Sequence, residues 1–80
     1  MMSKPNVLLF GAEWCQTCKF IKPMLERFSN VTYYDVDEDV KMAATHGVRS
    51  LPTYINDDNG ERGTGPVKNI SELKEILGIK

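Results

Sequence analysis

The chain has 80 residues, 41% of them hydrophobic, which is enough for one small domain over residues 1–80 and too little for a second. Ten Lys and Arg stand against eleven Asp and Glu with no basic run, a balance that speaks against nucleic acid or an anionic membrane surface as partner. Residues 1–6 carry one Lys and one Pro, and the apolar run after them is four residues long. A signal peptide needs about 7–15 apolar residues and a membrane-spanning helix about 20, so a soluble, cytoplasmic protein is expected.

The first predicted element is a strand over residues 6–11. Val7, Leu8, Leu9 and Phe10 are apolar without alternation, as in a central strand covered on both faces. Gly11 and Ala12 are small and are expected to loosen its exit. From Cys15 the period becomes helical: Phe20, Ile21, Met24, Leu25 and Phe28 fall on one broad face, with Lys19, Lys22, Glu26 and Arg27 opposite. Pro23 interrupts this helix in mid-course and predicts a kink, because it lacks an N–H; a break into two helices is the alternative. Ser29 and Asn30 end the helix.

Residues 31–36 are rich in β-branched and aromatic types and predict a second strand. Asp37 is the expected N-cap of a thin second helix, with Glu38 and Asp39 in its first turn and His46-Gly47 as its stop. Residues 52–56 predict a third strand. Asn59-Gly60 predicts a hairpin turn into a short fourth strand over residues 61–65 at a sheet edge. Asn69 or Ser71 caps a last helix with Ile70, Leu73, Ile76 and Leu77 on one face and Gly78 as its stop. The order β-α-β-α-β-β-α predicts an α/β domain, a four-stranded mixed sheet with helices on both faces.

Both cysteines, Cys15 and Cys18, sit at the first strand–helix junction, in Trp14-Cys15-Gln16-Thr17-Cys18. A bond between them would close a very short loop, worth about 2 kcal/mol at best as a staple, so a structural role explains the spacing poorly. At a helix N-terminus the unpaired N–H groups and the dipole favour a thiolate, bringing a thiol pKa of about 8.5 down toward about 7. Cys18, one turn on, is placed to resolve a mixed disulfide formed on Cys15. This is the pattern of a thiol–disulfide redox site. Trp14 either shields the pair and offers a flat docking surface or simply packs. Zinc would want four ligands, and two Cys with one distant His do not supply them. A c-type haem site needs His after the second Cys, where Lys19 stands. Inert core cysteines, and a dimer bridging an iron–sulfur cluster, stay open at this point.

The segment Ala12-Glu13-Trp14-Cys15-Gln16-Thr17-Cys18-Lys19 resembles the A-E-W-C-G-P-C-K segment of the thioredoxin family, and Pro23 falls where that family kinks its active-site helix. The stretch from Val36-Asp37 through Gly47-Val48-Arg49-Ser50-Leu51-Pro52-Thr53 is similar to the family's approach to its cis-proline. The resemblance implies a thioredoxin-like fold. It implies a protein-disulfide reductase that uses no cofactor beyond a redox-active Cys15–Cys18 disulfide and no metal. It also implies substrate contacts from Trp14, Leu51, Pro52 and Thr53. Disulfide-containing proteins would be its substrates, a thioredoxin reductase or glutathione its electron donor, and a monomer its expected state. The alternatives are a glutathione-recycled glutaredoxin-like enzyme and a redox-silent binding module of the same fold. Four departures stand out. The six residues before Val7 are too few for the additional β-α unit with which thioredoxins usually begin. Gln16-Thr17 replaces the family's Gly-Pro. Leu9 falls where thioredoxins carry a buried Asp that helps proton transfer at the second Cys, and Tyr33 falls where its Lys partner usually lies.

Overall fold

The computed structural model describes residues 4–79; residues 1–3 and 80, part of the single domain expected over 1–80, lie outside the described residues. Seven elements follow in the expected order: β1 (Asn6–Gly11), α1 (Gln16–Glu26), β2 (Asn30–Asp35), α2 (Val40–Thr45), β3 (Thr53–Asn56), β4 (Arg62–Thr64) and α3 (Ile70–Ile76). The strands form one sheet in the order β2-β1-β3-β4. β1 pairs with β2 in parallel and with β3 antiparallel, and β4 lies antiparallel at the edge, so the sheet is mixed.

The unbroken apolar run of β1 feeds two cores. Alternate side chains point to opposite faces of a strand. Val7 and Leu9 therefore join Ile21 and Leu25 of α1 and Leu73 and Leu77 on the α3 side, while Leu8 and Phe10 join Ile55, Met42 and Ala43 on the α2 side. Helices thus cover both faces of the sheet. α1 runs through Pro23 as a single helix; the apolar face stays in phase across the proline, and its packing on the sheet holds the two halves together. The chain leaves the helix at Ser29, whose hydroxyl donates to the Leu25 carbonyl at 2.6 Å. α3 begins as expected at Asn69, whose side chain accepts the Glu72 N–H at 2.9 Å.

Two expectations fail locally. Gly11 does not loosen the end of β1; it is buried and paired with Asp35 of β2. Asp37 does not cap α2, which starts three residues later, behind Asp39, with no side-chain cap. The cause is Asp35. Its carboxylate accepts the Asp37 N–H at 2.8 Å, and its carbonyl accepts the N–H groups of Glu38 and Asp39 at 3.0 and 2.7 Å. That turn satisfies donors that would otherwise open the helix, and the helix starts after it. At the hairpin, Gly60 alone takes the positive φ, at 82°.

Candidate active site

The site is built where β1 ends and α1 begins. Cys15 is the N-cap of α1: its backbone is extended and its sulfur accepts the Cys18 N–H at 3.1 Å. An N-cap acceptor normally is an oxygen; here a sulfur takes one of the free helix donors, so the backbone supplies the stabilisation that a thiolate at this position needs. The two cysteines form a disulfide, with Cα atoms 5.3 Å apart. Cys15 keeps 8% of its surface exposed and Cys18 only 1%. Ala12 completes this small buried cluster, and Leu51 and Val36 pack against it.

The loop before β3 forms the opposite wall. The Leu51–Pro52 peptide is cis; Pro52 is buried, and the half-buried Leu51 packs against the pair's cluster. The Pro52 carbonyl accepts the Gly65 N–H at 3.0 Å, whereas the hydrogen bonds among the described residues leave the Leu51 N–H and C=O unused. Thr53, expected among the substrate-facing residues, is fully buried and pairs with Phe10 in the sheet. Its hydroxyl donates to the Ser50 carbonyl at 2.7 Å, so it braces the loop from beneath instead of facing solvent. A shallow groove of about 280 Å³ runs beside the disulfide, lined by Trp14, Val36, Ala43, Val48 and Leu51, with Arg49 contributing a cation.

Trp14 is 68% exposed, yet its indole N–H donates to the Asp37 carboxylate at 3.0 Å. Asp37 is the site residue that sequence reasoning misassigned. The partners are 23 positions apart, so no local pattern could join them; only the β1–β2 pairing does. An Asp37→Ala variant is expected to free the indole. Because Trp14 is the single tryptophan, its steady-state fluorescence anisotropy reports this directly. The anisotropy should fall while the unfolding free energy from urea titration changes by less than about 1 kcal/mol, as for one exposed hydrogen bond. Unchanged anisotropy would mean that the contact does not hold the ring.

Three acidic groups, Asp35, Glu13 and Asp37, act on Tyr33 of β2. The Tyr33 phenol is pushed above its usual range, first by burial of the ring and then by Asp35, Glu13 and Asp37. Among the described residues no three His, Cys, Asp or Glu side chains cluster as metal ligands would.

A disulfide capping a helix N-terminus, with one sulfur accessible and one sealed, facing a cis-proline loop across a sheet switch point, defines a dithiol–disulfide oxidoreductase. The comparisons agree. The thioredoxin family model matches residues 1–77. The chain is 36% identical to thioredoxin of Staphylococcus saprophyticus, with 94% of this chain and 84% of that protein covered. It is 38% identical to thioredoxin-1 of Schizosaccharomyces pombe, with 89% and 80% covered. Among solved structures, a mutant thioredoxin from Halobacterium salinarum superposes with a TM-score of 0.76 at 28% identity, covering 94% of this chain and 73% of that one. The chain belongs to the thioredoxin family and is a thiol–disulfide oxidoreductase acting on protein disulfides.

Proposed function

We propose that Cys15 is the attacking thiol and Cys18 the resolving one, and that the substrate is an extended protein segment around a disulfide. The observation that carries this reading is the unequal placement of the two sulfurs: the partly exposed one is the N-cap, and the sealed one lies a turn inside the helix. A thiolate at the cap attacks the outer disulfide, and the inner thiol meets only what is already attached to its neighbour. The substrate segment lies between Trp14 and Leu51–Pro52, its backbone pairing with the free Leu51 N–H and C=O and an apolar side chain filling the groove. Arg49 favours an acidic residue nearby. Thr53 acts indirectly, by holding the loop. The protein works as a monomer in the cytoplasm and is recycled by a thioredoxin reductase.

Leu51 separates docking from chemistry. A Leu51→Asp variant is expected to lose about tenfold in kcat/KM for dithiothreitol-driven insulin reduction, since one apolar contact and a misplaced charge together amount to about 1.4 kcal/mol or more. Its rate with a small aryl disulfide should remain that of the wild type. Equal losses on both substrates would show that Leu51 serves the sulfurs and not the substrate.

A further inference from the structure

Resolution requires the buried Cys18 to lose a proton. While Cys15 carries the substrate, Cys18 is a thiol, and its thiolate must form inside a pocket made of Ala12, Cys15, Val36 and Leu51. None of the apolar members of that pocket can take or donate a proton. Leu9, one pleat further in on the same face of the sheet, is fully buried and equally inert.

One polar side chain does approach. β1 and β2 are parallel and in register, with Leu9 opposite Tyr33 and Gly11 opposite Asp35, so Tyr33 projects from the face that carries α1. Gly11 has no Cβ, and the space above it is shared. A methyl built there would lie 3.0 Å from the Cys18 sulfur and 3.1 Å from Cε1 of Tyr33. Cε1 adjoins the carbon bearing the hydroxyl. The ring thus spans from the Cys18 pocket outward, and Tyr33 remains 37% exposed.

We infer that Tyr33 is a positioning residue for the resolving step: across the gap left by Gly11, its hydroxyl donates a hydrogen bond to the Cys18 thiolate and connects it with solvent. The inference rests on the roles given above to Cys15 and Cys18. Cys18 releases its proton to water, and its thiolate attacks the Cys15 sulfur. The bond between Cys15 and the substrate breaks, the Cys15–Cys18 bond forms, and the substrate sulfur leaves with the electron pair and takes up a proton. The protein dithiol is oxidised and the substrate disulfide reduced.

The surrounding charges suit a donor. Burial of the ring first, then Asp35 on β2, Glu13 ahead of α1 and Asp37 after β2, all favour the protonated phenol. On α1, Lys22 is occupied by Glu26 at 3.2 Å and Lys19 is exposed, so neither supplies the missing proton contact. A hydrogen bond to the charged form lowers an acid's pKa; removing it raises the Cys18 pKa and reduces the thiolate fraction at neutral pH.

The test uses the reduced protein and the chromogenic reagent dithio-bis-nitrobenzoate in stopped flow. The first released thiolate reports attack by Cys15 and the second reports resolution by Cys18. In Tyr33→Phe the first phase should keep its wild-type rate. The second should slow about tenfold near pH 7, the loss expected from one hydrogen bond to a charged group, and the deficit should close as pH rises above the thiol range. Gly11→Ala, which sets a methyl in the gap but keeps the phenol, should slow the same phase with the same recovery. A second phase unchanged in Tyr33→Phe overturns the inference, and so does one slowed equally at every pH. Tyr33→Leu slowing resolution while Tyr33→Phe does not would reduce the ring to packing. Absence of both phases in the wild type would instead overturn the roles of the two cysteines, on which the inference depends.

Discussion

A Cys15→Ser variant is expected to reduce insulin no faster than dithiothreitol alone. The Cys15 sulfur accepts the Cys18 N–H at 3.1 Å and keeps 8% of its surface open. It is the sulfur that a disulfide can reach and the one whose negative charge the helix stabilises. A serine hydroxyl retains the cap but is a far weaker nucleophile without an adjacent base, and among the described residues only the Cys18 N–H is hydrogen-bonded to the Cys15 sulfur. The fold should therefore survive while the activity disappears, and a circular dichroism spectrum like that of the wild type makes the comparison fair. Cys18→Ser should behave differently. Attack still occurs, resolution does not, and a covalent adduct with the substrate accumulates on Cys15, visible as a band removed by reductant. If Cys15→Ser retained the wild-type rate, or if Cys18→Ser formed no adduct, the assigned roles would be wrong.

The second large effect concerns the core. Leu9→Asp is expected to unfold much of the protein at neutral pH. Leu9 is fully buried among Val7, Ile21, Leu25 and Tyr54, and its cross-strand neighbours are Tyr33 and Tyr54, neither of which brings a positive charge. An unpaired buried carboxylate costs about 3–5 kcal/mol. A domain of this size has net stability of the same order, roughly 3–5 kcal/mol. Burial raises the pKa of such an Asp in the folded state above its unfolded value near 3.9. The penalty is accordingly absent below that value and grows as pH rises through it. Leu9→Asn, with the same shape and no charge, should lose only about 1–3 kcal/mol. Adding Tyr33→Lys to Leu9→Asp should recover part of the loss, since the register sets the two positions side by side. Urea unfolding measures all three variants. A wild-type midpoint for Leu9→Asp would mean that the interior solvates the charge by a route the packing does not reveal.

Leu9 and Tyr33 also explain why the chemistry was easier to read than its tuning. A cysteine pair at a change from strand to helical period is a local signal, since the three-residue spacing places both sulfurs at one turn whatever surrounds them. The βαβ start, the Asn59-Gly60 turn and the amphipathic face of α3 are local in the same sense, and each element formed within about two residues of its predicted bounds. The helix after β2 begins later than its sequence predicts because Asp37 reads as an N-cap in isolation. Asp35, two residues before, competes for the same donors and wins by closing its own turn. Thr53 is expected at the substrate because the family resemblance sets it beside Pro52, but its antiparallel pairing with β1 turns it inward.

The family, the order of elements and the identity of the reacting atoms were thus determined by the sequence itself. Period, turn chemistry and the cysteine spacing depend only on neighbours along the chain. Which sulfur is sealed, which acid holds Trp14, and which side chain reaches Cys18 were decided by the tertiary structure alone. Each of these depends on strand register: the parallel pairing of β1 with β2 sets Tyr33 beside Leu9, one pleat from the gap over Gly11, and carries Asp37 to the indole. Register is fixed by burying one whole face of a strand, an energy summed over residues far apart in the chain.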